Sequence, residues 1–185
     1  MQFNKHFDLE GKHAFLSASK HHWTNYNEDK LVDVYRNHRA KEEGTEMHMI
    51  AALLIQKRLK QAHMKKAFNM HVNDAIGYYM QPEQVLYYSD NCFGTADAIS
   101  FRDNLLRVHD LKTGVTKVSF KQLDVYNALF CLEYEVSPHD ILIENRIYQG
   151  RDKIIDIPEP ERIQSIMDKI VQSDKIIEQI KLEGW

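Results

Sequence analysis

The sequence predicts an α/β or α+β fold in which a mixed central β-sheet is flanked by helices. The first observation is apolar spacing of the helical kind up to Met80, followed by period-two spacing in residues 84–112. The second is a return to helical, then strand-like, then helical spacing towards the C-terminus. The third is length, because 185 residues suffice for one domain over 1–185 with a core of its own.

Helices are expected before the first strand. "NEDKLVDVYRNHR" predicts a helix with Asn27 as its N-cap. Gly44 is expected to break the chain, and Thr45 to cap a second helix, "EMHMIAALLIQKRLKQ". That helix has a predicted apolar stripe, which consists of Met49, Ala52, Leu53 and Leu59. A third helix, "HVNDAIGYYM", is expected to be ended by Pro82.

The middle and the end of the chain predict the strands of the sheet and the helices that pack on it. "QVLYYS", "FGTADAISF" and "LLRVHDL" predict three strands, with "RDN" as the turn between the last two. "SFKQLDVYNALFCLEYE" predicts a long, largely buried helix, and "DILIENRIYQG" with "KIIDIP" a second hairpin. Pro160 fits the first turn of an amphipathic C-terminal helix. This tail, over 138–183, carries no functional motif, so packing or assembly is its expected role.

Composition excludes several classes of protein. Hydrophobic content of 43% and charged content of 28% are ordinary for a soluble globular protein, and "MIAALLI" is too short to span a membrane. "MQFNKHFDLEGKH" lacks the apolar segment of a secretory signal, so we expect a cytoplasmic protein. Two cysteines, Cys92 and Cys131, fit a reducing interior and are too few for a four-cysteine zinc or iron–sulfur site.

One segment is strongly basic although the net charge is −3. "QKRLKQAHMKK" has no acidic residue, and its basic residues are Lys57, Arg58, Lys60, Lys65 and Lys66. It is either the solvated face of a helix or a ridge that contacts phosphates.

The hairpin "FGTADAISFRDNLLRVHDLKTG" holds the residues with the clearest chemistry. Paired strands would bring the carboxylates of Asp97 and Asp110 side by side, which is costly unless a cation lies between them. A divalent metal with oxygen ligands would offset that cost. Lys112 shares a strand face with Asp110, whereas His109 points to the other face and is left out of the site. For the hairpin alone, a solvated ion pair remains the simpler interpretation.

Residues outside the hairpin favour the metal site over the solvated ion pair. His48 lies in the first turn of the second predicted helix, and Gln122 and Tyr126 share a helix face. The chain thus carries, in order, Gly-Thr-x-x-His, Gly-x-x-Asp, Asp-x-Lys-Thr-Gly and Gln-x-x-x-Tyr.

These four motifs together resemble the PD-(D/E)XK nuclease superfamily, in particular its RecB-like and phage-type exonuclease branch. "FLSASK" is similar to the serine-containing opening motif of such domains, so the motifs span 15–126. The resemblance implies a restriction-endonuclease-like sheet. The chain departs from the pattern where Ala96, not proline, precedes Asp97, and where Asp110 replaces glutamate as in the RecB-like branch. It lacks cluster cysteines and a Gly-x-x-x-x-Gly-Lys loop, so neither an iron–sulfur cluster nor a nucleotide cofactor is expected.

The resemblance also implies roles for individual residues. The expected ligands of a Mg²⁺ or Mn²⁺ ion are His48, Asp97, Asp110 and the Leu111 backbone carbonyl. Lys112 would position the attacking water and stabilise the transition state, while Gln122 and Tyr126 would hold Lys112 or contact the DNA backbone. Further DNA contacts are expected from Ser17, Ser19, Lys57, Arg58, Lys60, Lys65 and Lys66.

The function so implied is a metal-dependent deoxyribonuclease, an exonuclease for recombination, repair or end processing in a phage or mobile element. The alternatives are a non-catalytic nucleic-acid-binding module on a nuclease fold, and a structure-specific endonuclease such as a junction resolvase. The expected partner is single- or double-stranded DNA, together with a recombinase, a single-strand-binding protein or a helicase. A homo-oligomer is compatible with this assignment, a membrane is not, and a phage-encoded protein would act in the host cytoplasm.

Overall fold

The computed structural model describes residues 14–115 and 117–184. It is an α+β structure with a five-stranded mixed sheet flanked by helices, so the predicted class is confirmed at this level. The described residues group into two compact units on either side of the Glu43–Gly44 bond. The single nuclease domain over 1–185 stays a prediction. None of the helices in the described part of the chain is long and apolar enough to cross a membrane.

The first unit contains a short 3-10 helix, Ala18–Asn25, and the beginning of α1. The Ser17 hydroxyl accepts a hydrogen bond from the Lys20 amide at 3.3 Å. The Asn27 side chain accepts one from the Lys30 amide at 2.9 Å, so the predicted N-cap is confirmed. The stretch "MQFNKHFDLEGKH", which lacks a signal pattern, lies outside the described residues.

Helix α1 runs without interruption over Glu28–Gln56, so the prediction that Gly44 breaks the chain is wrong. Gly44 is buried within the helix. A Cβ atom there would lie 2.8 Å from Thr113 Oγ1, so this residue is small because the strand end approaches closely. The predicted apolar stripe is also wrong, because Met49 and Leu53 are exposed, while Ala51 and Ile55 form the buried face.

The end of α1 lies earlier than predicted. The helix stops at Gln56 rather than at Gln61, and the basic segment 57–66 is a loop instead of a helix face. Arg58 adopts a φ of +56°, a left-handed conformation that a helix cannot continue through. The amides of Arg58 and Leu59 instead bond to the carbonyls of Ile55 and Leu54.

Helix α2 covers Ala67–Gly77. Pro82 does not end it, because this proline lies inside the first strand. The terminating signal is Tyr79, whose φ is +56°, while the Met80 amide bonds back to the Ala75 carbonyl at 2.9 Å.

The sheet has the order β1-β2-β3-β4-β5. Its strands are β1 Gln81–Ser89, β2 Cys92–Arg102, β3 Leu105–Lys112, β4 Leu142–Gln149 and β5 Asp152–Asp156. The β3–β4 pair is parallel and the others are antiparallel. Asp103 and Asn104 both have positive φ, +52° and +57°, as in the two-residue turns that match strand twist. The predicted strands and both hairpins are therefore confirmed.

Two further helices pack against the sheet. Helix α3, Lys121–Glu133, connects the parallel strands β3 and β4, and α4 is Pro160–Leu182 with its proline in the first turn as predicted. One core contains buried residues of α3, α4 and the sheet, among them Leu129, Cys131 and Ile163. A second core contains residues of α1, α2 and the sheet, among them Val72.

A buried ionic cluster ties α2 to β4 and β5. The Asp74 Oδ2 atom accepts hydrogen bonds from Arg146 at 3.0 Å, Tyr148 at 2.8 Å and Lys153 at 3.0 Å. Burial alone would raise the pKa of Asp74, but these bonds and the two positive charges lower it below the ordinary value.

We expect Asp74→Asn to lower the free energy of unfolding by about 2–3 kcal/mol near neutral pH, because Arg146 and Tyr148 stay buried. A lowered pKa in the folded state stabilises the protein above the ordinary value of 3.8, and this contribution is lost as the pH falls through the folded pKa. Urea unfolding at about pH 7 and about pH 3 should therefore show a difference that shrinks in acid.

The exposed Asp140→Asn is the matched control, and it should change stability little at either pH. A difference between wild type and Asp74→Asn that is equally large in acid would contradict the assignment.

Candidate metal and catalytic site

The pairing of β2 with β3 brings two carboxylates together. Ala98 pairs with His109, so the next residues along the two strands, Asp97 and Asp110, face each other. Their side chains are only 15% and 3% exposed. Two buried like charges at this position need a positive charge close by.

His48 of α1 is the hydrogen-bond partner of Asp97. Its Nδ1 lies 3.2 Å from Asp97 Oδ1, and this hydrogen bond raises the pKa of His48 against the opposite effect of burial. Burial alone would raise the pKa of Asp97, but His48 and the Leu111 amide, which donates at 2.8 Å, lower it. The Asp97 carboxylate is therefore held by two hydrogen bonds, one with His48 and one with the Leu111 amide.

Asp110 is less well compensated. Lys112 Nζ donates to its Oδ1 at 3.1 Å and lies 3.0 Å from its Oδ2. The buried Oδ2 nevertheless receives no hydrogen bond of good geometry from the described residues. Burial and then the charge of Asp97 raise the pKa of Asp110, so the two facing carboxylates oppose each other's ionisation.

Lys112 is held by the helix that follows its strand. Its Nζ donates to Gln122 Oε1 at 2.8 Å, and Gln122 Nε2 donates to the Tyr126 hydroxyl at 3.0 Å. The ammonium is thus fixed between the Asp110 carboxylate and an amide. The structure therefore brings together the strand and helix residues that the motifs singled out.

The Gly-x-x-Asp motif and the Gln-x-x-x-Tyr motif are in direct contact. A Cβ atom at Gly94 would lie 2.9 Å from Tyr126 Cε1, so only glycine lets the ring pack against β2. Gly44 and Thr113 show the same relation between the His48 helix and the end of the Lys112 strand. The motif glycines thus set the distances between the elements that carry the site.

Sequence reasoning missed one residue, Glu83 of β1. One ligand atom each from His48, Glu83 and Asp97 lie within 4.8 Å of one another, close enough to hold a metal ion. Pro82 pairs with Ala98 and Gln84 with Ala96, so Glu83 lies opposite Asp97.

No motif marks Glu83, because it lies on a strand that appears featureless in sequence. Its φ is +49°, a conformation that is rare outside glycine and is associated with functional sites. Burial and the charge of Asp97 raise its pKa. Only the register of β1 against the acid-bearing strand could have indicated it.

The donor set suits a divalent cation. Carboxylate oxygens are the ligands that Mg²⁺ and Mn²⁺ prefer, and an imidazole nitrogen makes Mn²⁺ more acceptable. Glu83 and Asp97 lie in the cluster with His48, and the buried Asp110 Oδ2 lies 3.0 Å from Lys112 Nζ without a hydrogen bond of good geometry. The Leu111 backbone amide donates a hydrogen bond to Asp97. The role of the Leu111 carbonyl as a metal ligand stays a prediction.

The remaining candidates lie elsewhere. His109 is buried with His71 and Tyr148, whose hydroxyl is 3.2 Å from His109 Nδ1. Ser17 and Ser19 belong to the first unit, where their hydroxyls are 3.1 Å apart. Their contacts with DNA, and those of the basic loop 57–66, stay predictions.

No family model, no curated protein and no solved structure matches this chain. The case for a function therefore rests on the geometry of these residues.

The contact between Gly94 and Tyr126 can be tested by adding one methyl group. We expect Gly94→Ala to lower the free energy of unfolding by about 1–3 kcal/mol, because the new Cβ overlaps the ring. The matched control is Gly77→Ala, whose Cβ would meet nothing within 4 Å and should be neutral or stabilising by up to about 1 kcal/mol. Denaturant unfolding of both variants measures this, and equal stabilities would contradict the packing.

The metal site can be tested by calorimetric titration with Mn²⁺. We expect Glu83→Gln to weaken binding at least about tenfold, since even outer partners of metal ligands have effects of that size. The matched control, Glu46→Gln, changes an exposed carboxylate on the same helix as His48 and should bind as wild type does. If Glu83→Gln bound Mn²⁺ as tightly as wild type, Glu83 would not be a metal ligand.

Proposed function

We propose that this protein is a metal-dependent nuclease that hydrolyses DNA phosphodiester bonds, and that it acts as an exonuclease in recombination, repair or end processing. The observation that carries the proposal is the position of Lys112, which donates to Asp110 and Gln122, while Asp110 lies opposite Asp97, a member of the candidate metal cluster. A lysine held next to a metal site can stabilise the negative charge that develops during hydrolysis of a phosphodiester.

The chemistry divides between the metal and the side chains. His48, Glu83, Asp97 and Asp110 would hold the ion, which when bound lowers the pKa of a water and offsets charge on the phosphate. Lys112 places a positive charge where the transition state gains negative charge. Gln122 and Tyr126 orient that ammonium, so they are positioning residues.

Several features support a nuclease over a general metal-binding protein. The four motifs are in contact with one another through Gly44 and Gly94, and they form one site. The mixed sheet flanked by helices is of the kind that the resemblance to PD-(D/E)XK nucleases implies. We include in the proposal the restriction-endonuclease-like fold, a cytoplasmic location, and DNA, with a recombinase, single-strand-binding protein or helicase, as partners.

The test is a time course on end-labelled linear DNA and on covalently closed circular DNA with Mg²⁺ or Mn²⁺. We expect wild type to degrade the linear DNA and Lys112→Ala to be slower by about 10²–10³-fold, the usual loss on removing a group that stabilises transition-state charge. The matched control is Lys121→Ala, an exposed lysine at the start of α3, which should retain full activity.

The outcomes separate the hypotheses. Equal rates for wild type and Lys112→Ala would refute the role of Lys112, and cleavage of the closed circle would indicate an endonuclease. Salt-sensitive binding of DNA without cleavage under any metal would indicate a non-catalytic binding module.

A further inference from the structure

A groove of about 310 Å³ is lined by residues that lie close in sequence to the candidate metal ligands. Its lining includes Gln84, the neighbour of Glu83, and Ile99, which is two residues beyond Asp97 on β2. A strand rises about 3.3 Å per residue, so Ile99 lies roughly 7 Å along β2 from Asp97. One nucleotide of an extended single strand spans that distance.

The groove is aromatic. Phe101 and Tyr134 are 40% and 52% exposed, and their ring centroids lie 5.1 and 4.8 Å from that of Phe130. Exposed rings backed by a buried ring are held in place and present free faces. Such faces suit stacking of a flat, unpaired base.

Two arginines lie against the ring of Tyr79, which lines the groove, and one of them, Arg102, lines the groove itself. The guanidinium carbons of Arg58 and Arg102 lie 4.5 and 4.8 Å from the centroid of the Tyr79 ring, and Arg58 also donates to the Ile76 carbonyl at 3.1 Å. These contacts fix both cations before any ligand arrives. No carboxylate is among the described residues that line the groove.

The other polar groups in the groove are suited to the edge of a base. Gln81 and Gln84 line it with amides, each of which offers a donor and an acceptor. Ser100 also lines it, and its buried hydroxyl has no hydrogen-bond partner among the described residues. The groove therefore combines ring faces, cations and neutral polar groups.

We propose that this groove binds one unpaired nucleotide of a DNA single strand, adjacent to the phosphate that is cleaved. The inference rests on the proposed nuclease function and gives it a substrate class, since a base inside a duplex keeps both faces stacked and cannot enter. The groove volume is close to the lower limit of small-ligand sites, which fits a single nucleotide.

The test measures binding without cleavage, by anisotropy of a fluorescein-labelled thymidine oligonucleotide in EDTA. We expect wild type to bind the single strand more tightly than a duplex of equal length. Tyr134→Ala should weaken single-strand binding roughly tenfold through loss of stacking, and Arg102→Gln should weaken it less and reduce its dependence on salt.

Two controls match these variants. Tyr87→Ala removes a tyrosine that is 46% exposed on β1 but does not line the groove, and Arg151→Gln removes an exposed arginine in the β4–β5 turn. Both should bind as wild type does. A second readout is 2-aminopurine placed along the oligonucleotide, whose fluorescence should be quenched at one position in wild type and not in Tyr134→Ala.

The two proposals fail in different ways. The groove proposal would be overturned if Tyr134→Ala and Arg102→Gln bound the single strand as wild type does, or if wild type preferred the duplex. Neither result would affect the nuclease assay. Groove-dependent binding of the single strand with no cleavage under Mg²⁺ or Mn²⁺ would overturn the nuclease and leave the groove in place.

Discussion

The juxtaposition of Asp97 and Asp110 is the constraint on which the rest of the site depends. Strand pairing fixes it, and burial makes it costly. His48 and Lys112 each lie within 3.2 Å of one carboxylate, and Lys112 makes no hydrogen bond of good geometry with Asp110 Oδ2. Two facing buried acids are a poor way to stabilise a fold and are typical of a binding site.

Small residues bring the charged groups within reach. Gly94 lets Tyr126 approach β2, and Gly44 lets the end of β3 approach α1. The chain of hydrogen bonds from Tyr126 through Gln122 to Lys112 depends on the first approach. Gly44 and Gly94 thus set how closely the helices and strands of the site approach each other. A larger residue at either position would push the site residues apart.

The strands, and the residues that share a face on one strand or helix, could be predicted from the sequence because both depend only on spacing along the chain. Alternation places Asp110 and Lys112 on one face, and helical spacing aligns Gln122 with Tyr126. The errors arose where tertiary contacts override local preference. Gly44 appeared as a helix break since glycine is a poor helix former, whereas the close approach of Thr113 requires it. Glu83 was missed because only strand register, which is non-local, places it opposite Asp97.

The edge position of β1 connects the two sites. Edge strands need protection from pairing with other chains, and prolines or local irregularities provide it. β1 has Pro82 and a positive φ at Glu83, and this irregularity lies opposite Asp97 in the register. The same strand thus places Glu83 in the candidate metal cluster and Gln81 and Gln84 in the lining of the aromatic groove. Under the proposed function, a substrate strand that runs along this edge would meet the candidate metal ligands and the proposed stacking surface in succession.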